Sequence, residues 1–388
     1  MAKGRTIAVA YASVGSGHRI AAEAVAAELS GREIPGLRVE LIDALESASP
    51  RLSGNALSST FTGPTAGIYD ALWSSEWAGA AGRTLGGPLL GSLFAGFFRQ
   101  LEELSPDLVV CTHALASMVA TRIARRADEP FSIVNVTTDF GVHSFWPRNG
   151  IALFCVADTD SRDKLVAHGV QTTAIAVTGV PVRQQFALDY DCDAARKHFG
   201  LAPDRRIVLA LAGSTMPGPY ERFKEALAVS LPALASLPGT SVVVVCGNDD
   251  LFAEEMRTRS AGFGTTNVQV LGYVEHMAPL MACADLALAK PGGSVCAECL
   301  AAGVPLVLIG PAAGQENANA RALTDAGAAL FAADPRTIAE YARKAISKPA
   351  RLKKMRESAS ALARPFAAAD ITDRLLVLIG EPKAVEAD

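Results

Sequence analysis

The sequence predicts an α/β protein made of two doubly wound domains, each a parallel sheet with helices on both faces. Three observations point there. Apolar segments of strand length alternate with glycine turns and helical stretches from the N-terminus onward. The chain has 388 residues, 50% of them hydrophobic, which is more than one core of ordinary size takes up. In the second half, Lys290-Pro291-Gly292-Gly293-Ser294 and Gly314-Gln315-Glu316-Asn317 each follow an apolar strand and open a helix. Backbone N–H groups and the helix dipole converge at such a turn, and glycine lets a ligand approach the backbone. Two such turns in neighbouring βα units suit a nucleotide diphosphate.

The elements follow in order. A strand is expected over 6–12, a turn at Gly15-Ser16-Gly17-His18, an alanine-rich helix over 19–29 and a second strand over 39–43. Further strands are expected at 108–111, 132–137, 153–156 and 174–177, and the first series ends near Gly179-Val180-Pro181-Val182. A second series runs through strands at 207–212, 241–246, 268–271, 285–289 and 305–309. The domains are therefore drawn as 1–182 and 183–364, with 365–388 a terminal helical segment packing back on the first. Ligands of doubly wound sheets bind outside the carboxyl ends of the strands, so the pocket is expected in a cleft between the domains.

One segment breaks the βα rhythm. Over 61–98, Ile68, Tyr69, Leu72, Trp73, Trp77, Leu89, Leu90, Phe94, Phe97 and Phe98 are apolar, with glycines and few charges between them. They read either as helices packed on the sheet or as an apolar surface that rests on a membrane.

Composition excludes several classes. The net charge is −4, with both signs dispersed along the chain, so no basic face for nucleic acid is expected. Seven scattered cysteines in mostly apolar contexts read as reduced thiols of a cytosolic protein. The N-terminus enters a strand directly, so no signal peptide is expected. No apolar run reaches membrane-spanning length. Gly15-Ser16-Gly17 lacks the Gly-Lys-Ser/Thr ending of a P-loop, and His18 spoils a dinucleotide fingerprint. Cys296-Ala297-Glu298-Cys299 spells C-x-x-C without a second pair for zinc, and reads as two thiols on a packed helix. Asp158-Thr159-Asp160 matches a metal-binding Asp-x-Asp by letter, but a helix cap explains it better.

Gly15-Ser16-Gly17-His18, Thr112-His113, Thr138-Asp139-Phe140 with His143 and Trp146, Thr178-Gly179-Val180-Pro181-Val182, Lys290-Pro291-Gly292-Gly293, Glu298 and Gly314-Gln315-Glu316-Asn317 occur in that order. The set resembles the monogalactosyldiacylglycerol synthase and processive diacylglycerol glucosyltransferase family, from the first strand to about Gly327. The resemblance implies a GT-B fold, two Rossmann-like doubly wound domains facing a central cleft. It implies inverting transfer of galactose or glucose from a UDP-hexose to diacylglycerol, with no metal ion or other cofactor. A lipid acceptor implies peripheral attachment to the membrane surface, at the inner face of the cell membrane, through the 61–98 segment. Two alternatives stay open. One is the transferase adding N-acetylglucosamine to a lipid-linked peptidoglycan precursor, whose turn is usually of Ser-Gly-Ala type where this chain has Lys290-Pro291-Gly292-Gly293. The other is a nucleotide-sugar-binding protein of this fold that has lost catalysis.

A leaving diphosphate gains negative charge and needs donors around it. Backbone groups at Gly292, Gly293 and Ser294, Gly213-Ser214, and Gly17 across the cleft are the candidates. Glu298 is expected on the ribose hydroxyls, Gln315 and Glu316 on the sugar, and the backbone near Tyr273-Val274 against uracil. The acceptor hydroxyl must lose a proton, which calls for a base. His18 is the first candidate, the alternative being a helix cap or phosphate donor. Asp139 is the second, the alternative being a turn residue. His143 and Trp146 either position the acceptor or form a buried aromatic cluster, and His113 either lines the cleft or makes a structural hydrogen bond. Plant-type members carry an aspartate before the glycine turn where this chain has Ser13-Val14, which removes that position as a base.

Overall fold

The computed structural model describes residues 4–13, 16–46, 94–126, 131–213, 219–264, 267–310, 312 and 314–380. Backbone contacts divide the chain into two units, Met1–Gln184 with Phe366–Asp388, and Gln185–Pro365.

The first unit is a six-stranded, wholly parallel sheet in the order β2-β1-β3-β4-β5-β6. Its strands are β1 (Arg5–Tyr11), β2 (Leu37–Asp43), β3 (Leu108–Cys111), β4 (Ser132–Val136), β5 (Leu153–Val156) and β6 (Ile175–Val177). Helices α1 (Gly17–Gly31), α2 (Ala95–Leu104), α3 (Ala114–Ala124) and α4 (Thr159–Ala167) connect them. Central strands are apolar on both faces because helices cover both. Along β1, Ile7 and Val9 join Ala22, Val25 and Leu29 of α1, while Ala8 and Ala10 join Phe97 and Leu101 of α2 and Ala116 and Val119 of α3. The two-residue period of a strand thus feeds two separate cores.

The second unit repeats the plan, with sheet order β12-β11-β10-β7-β8-β9, again all parallel. Its strands are β7 (Arg206–Leu211), β8 (Thr240–Val245), β9 (Val268–Leu271), β10 (Leu286–Ala289), β11 (Leu306–Ile309) and β12 (Ala329–Ala332). Its helices are α5 (Cys192–His198), α6 (Pro219–Ala235), α7 (Asp250–Ala261), α8 (Met277–Ala282), α9 (Gly293–Ala301), α10 (Gln315–Asp325), α11 (Ile338–Ile346) and α12 (Pro349–Leu362). Strand β12 escapes the sequence reading because Ala329-Leu330-Phe331-Ala332 carries no β-branched residue. The last helix, α13 (Ala367–Leu378), belongs to the first unit. Its Ile371, Leu375 and Leu376 enter the α1 core, and Arg32 Nη2 donates to Asp373 at 3.0 Å.

Residues up to 93 of the 61–98 segment lie outside the described residues. At its described end, Phe94 and Phe97 are fully buried under the sheet and Phe98 packs against them. That end is core rather than membrane surface. Among the described residues no helix is long and apolar enough to cross a membrane.

Candidate functional site

In each unit the strand order reverses at one point, between β1 and β3 and between β7 and β10. Loops leaving the carboxyl ends of the strands on either side of such a reversal diverge to opposite faces and leave a crevice. Gly17-His18, Thr112-His113, Gly213 and Lys290-Pro291-Gly292 stand at these two places, while Asp139 and His143 follow β4, Val274 follows β9, and Gln315 and Glu316 follow β11.

In the first unit, Gly17-His18 follows β1 and Thr112-His113 follows β3. His18 and Thr112 lock each other. The Thr112 hydroxyl donates to the His18 carbonyl at 2.9 Å, and His18 Nδ1 lies 2.9 Å from the Thr112 carbonyl. A carbonyl only accepts, so Nδ1 carries the hydrogen and the neutral ring holds its lone pair on Nε2. Thr138 Oγ1, just past β4, is 2.9 Å from the same Nδ1 and serves as a second acceptor. This tautomer is assigned from the hydrogen-bond network. It is the form a general base requires.

Two more imidazoles stand close by. The His113 ring meets His18 edge to face at 4.4 Å between centroids, and its Nδ1 accepts the Leu115 N–H at 3.0 Å as the N-cap of α3. His143 Nδ1 accepts the Phe145 N–H at 3.3 Å, with its ring 5.8 Å from both Phe145 and Trp146. Burial lowers all three titrations. For His18, burial outweighs the opposing pull of Asp139 and the Thr112 carbonyl, and the pKa falls below 6.5. His113 drops well below that value through burial and its neighbours His18 and His143. His143 falls to about 3 through burial and the nearby His18. The cluster is therefore neutral near pH 7. Asp139 and His143 are half-buried, whereas Trp146 is only 3% exposed, packed with Ala114, Phe154 and Val156 behind His143.

In the second unit, Gly213 follows β7 and Lys290-Pro291-Gly292 follows β10. Gly213 abuts Gly247, whose φ is +58°; a Cβ there would lie 2.6 Å from the Gly213 carbonyl oxygen. Ser214 lies outside the described residues. Gly292 is the N-cap of α9 with no side-chain cap, which leaves the helix start to backbone groups. Gly293 and Ser294 form its first turn, and Glu298 sits further along the same helix, 7% exposed. Gly314 opens α10 at φ 58° and ψ −124°, a conformation open to glycine and hardly to any other residue. Gln315 and Glu316 follow it. Val274 is half-buried between β9 and α8, beside the exposed Tyr273.

The two glycine turns are tied together. The buried Lys290 ammonium is ion-paired with Glu316 and sits 5.1 Å above the Tyr220 ring, while Asn319 Nδ2 donates to the Pro291 carbonyl at 3.0 Å. Lys290, Thr112 and Thr138 have no assigned role in the sequence reading beyond their place in motifs. A lysine directly after the wholly apolar β10 is the signal that marks the first as buried.

The other motif residues are structural. Asp158 caps α4 by accepting the Ser161 N–H at 2.7 Å, and Asp160 pairs with Lys164. Cys296 and Cys299 are fully buried, and burial holds the Cys299 thiol well above its ordinary range.

Residues 18–182 match the family model "Monogalactosyldiacylglycerol (MGDG) synthase", and residues 220–375 match "Glycosyltransferase family 28 C-terminal domain". The processive diacylglycerol beta-glucosyltransferase of Bacillus licheniformis is 30% identical over 268 residues, covering 68% of each chain. The chain belongs to the monogalactosyldiacylglycerol synthase and processive diacylglycerol glucosyltransferase family. The fold agrees with membership. MurG of Acinetobacter baumannii superposes with a TM-score of 0.63 at 18% identity, over 96% of this chain and 99% of that one. The UDP-GlcNAc 2-epimerase of Neisseria meningitidis, solved with UDP-GlcNAc bound, gives 0.62 at 14% identity, over 96% and 100%. The family's GT-B fold is thus the fold of this chain, and the histidine cluster lies within the stretch that matches the synthase model.

Proposed function

We propose that the chain transfers a hexose from a UDP-sugar to the 3-hydroxyl of diacylglycerol with inversion, forming a membrane glycolipid. The observation that carries this reading is the His18 ring, fixed by Thr112 and Thr138 in the tautomer that leaves Nε2 basic. In the reaction, Nε2 takes the proton of the acceptor hydroxyl while its oxygen attacks the anomeric carbon from the face opposite the leaving UDP. Asp139 stabilises the imidazolium so formed, as its upward pull on the His18 pKa indicates. His143, backed by Trp146, borders the acceptor.

The second unit holds the donor. Backbone N–H groups at Gly292, Gly293 and Ser294, joined by Gly213, receive the diphosphate. Glu298 accepts from the ribose hydroxyls, Gln315 and Glu316 from the hexose, and uracil sits against the backbone near Tyr273-Val274. Lys290 orients the Glu316 carboxylate. These dipoles take the place of a metal ion, so transfer is expected to survive chelation with EDTA; loss of activity that added magnesium or manganese restores would overturn that part. The acceptor stays in the bilayer, since each buried CH₂ is worth about 0.8 kcal/mol, and the protein acts at the inner membrane surface.

The deciding experiment incubates purified protein with diacylglycerol liposomes and either UDP-glucose or UDP-galactose, following UDP release and lipid product. Product with one donor identifies the sugar. UDP binding without product from either donor would replace this reading by a different acceptor, such as a lipid-linked peptidoglycan precursor, or by a binding protein.

A further inference from the structure

Six of the seven cysteines are buried and one, Cys192, is exposed. Cys192 is the first residue of α5, and Cys283 follows the last residue of α8. The two cross each other. Cys192 Sγ donates to the Ala282 carbonyl at 3.4 Å, and Cys283 Sγ donates to the Cys192 carbonyl at 3.4 Å. Burial, reinforced by a hydrogen bond with the Cys192 thiol, pushes the Cys283 thiol up to about 12.

We propose that Cys192 and Cys283 form a reversible dithiol–disulfide site, closed by a peroxide. The exposed sulfur reacts first. The Cys192 thiolate attacks one oxygen of hydrogen peroxide, the O–O bond breaks, and hydroxide leaves as water after taking a proton; Cys192 becomes a sulfenic acid. The Cys283 sulfur then attacks the Cys192 sulfur, the S–O bond breaks, and the departing hydroxide takes the Cys283 proton as a second water. Two electrons pass from the sulfurs to the peroxide. A dithiol reductant reverses the step by exchange. With the resolving sulfur removed, as in a Cys283 variant, the Cys192 sulfenic acid accumulates.

The bond would complete a brace around one loop. Phe199, at the end of α5, accepts from Gln269 Nε2 of β9 at 2.8 Å, and Gln185 Oε1 accepts the Ala278 N–H of α8 at 3.2 Å. The Cys192–Cys283 bond adds a covalent third tie, so the stretch from 185 to 199 holds both β9 and α8, the elements that flank Tyr273-Val274.

Full-length protein treated with limiting hydrogen peroxide, then denatured, is expected to show five thiols in place of seven, a mass lower by two hydrogens, and a peptide linking Cys192 to Cys283. Dithiothreitol restores all seven. In Cys283→Ser, dimedone captures the Cys192 sulfenic acid; in Cys192→Ser, the remaining thiols survive the same treatment. Over-oxidation of Cys192 to sulfinic acid while Cys283 still titrates as a thiol would overturn the proposal. So would a link between other cysteines, or seven intact thiols.

Discussion

At His18 one ring nitrogen is committed to a backbone carbonyl and the other is left to chemistry. Replacing His18 by Ala is expected to lower transfer by about 10²–10⁴-fold, the usual worth of a positioned base, while UDP affinity measured by calorimetry stays unchanged. Unaltered turnover in this variant would move the base to Asp139. The pH profile supplies an independent check. Burial sets the folded pKa of His18 below 6.5, so the base remains competent at neutral pH and the acid limb of kcat/KM should fall below that value. An acid limb above it would mean that the titrating group is another one or that Asp139 outweighs burial.

Helix starts and strand ends supply the donor turns, and their tolerance is set by how close the backbones approach. Gly247→Ala would place a methyl 2.6 Å from the Gly213 carbonyl and 2.8 Å from its Cα at a positive φ. The strained conformation alone costs about 1–3 kcal/mol, and relief requires Gly213 to move, so both the thermal midpoint and UDP affinity should drop. Gly239→Ala is the control, with φ +60° but open space around its Cβ; it should lower stability less and leave UDP binding alone. The tie between α9 and α10 is tested differently. Lys290→Met leaves the Glu316 carboxylate without its buried cation, a loss of about 3–5 kcal/mol for pairs of this kind. Adding Glu316→Leu should restore most of the melting temperature, since an apolar pair can replace a buried ion pair, but it should not restore use of the sugar donor. Recovery of both would remove Glu316 from sugar recognition.

For the molecule as a whole, the three clustered histidines His18, His113 and His143 make stability depend on pH. Each has a folded pKa below the unfolded value of 6.5, with His143 at about 3. The unfolded chain therefore binds more protons than the folded one in the window between those values, and stability rises with pH there. It is fully present above about 6.5 and is lost as pH falls towards 3. Denaturant midpoints measured down this range should decline, and the triple replacement of His18, His113 and His143 by Asn should flatten the slope. A slope that the replacement leaves intact would assign it to the carboxylates.

The strands from β1 to β11 were legible because both-face burial writes them as short apolar runs between glycine turns. Their ends moved by a residue or two, since pairing partners decide where a strand stops. Strand β12 was hidden by its alanines, which favour helices over strands. Phe94 and Phe97 read equally as membrane contacts or core, because apolarity alone does not say what covers a side chain.

By itself the sequence determined the βα order, the places of the glycine turns and the family, all of which depend on neighbouring residues along the chain. The tertiary structure alone decided the His18 tautomer, the Lys290–Glu316 tie and the crossing of Cys192 with Cys283. Their partners stand 94, 26 and 91 residues apart. Local periodicity sets which backbone forms, but contacts at that separation exist only after the sheets have reversed their strand order and packed their helices.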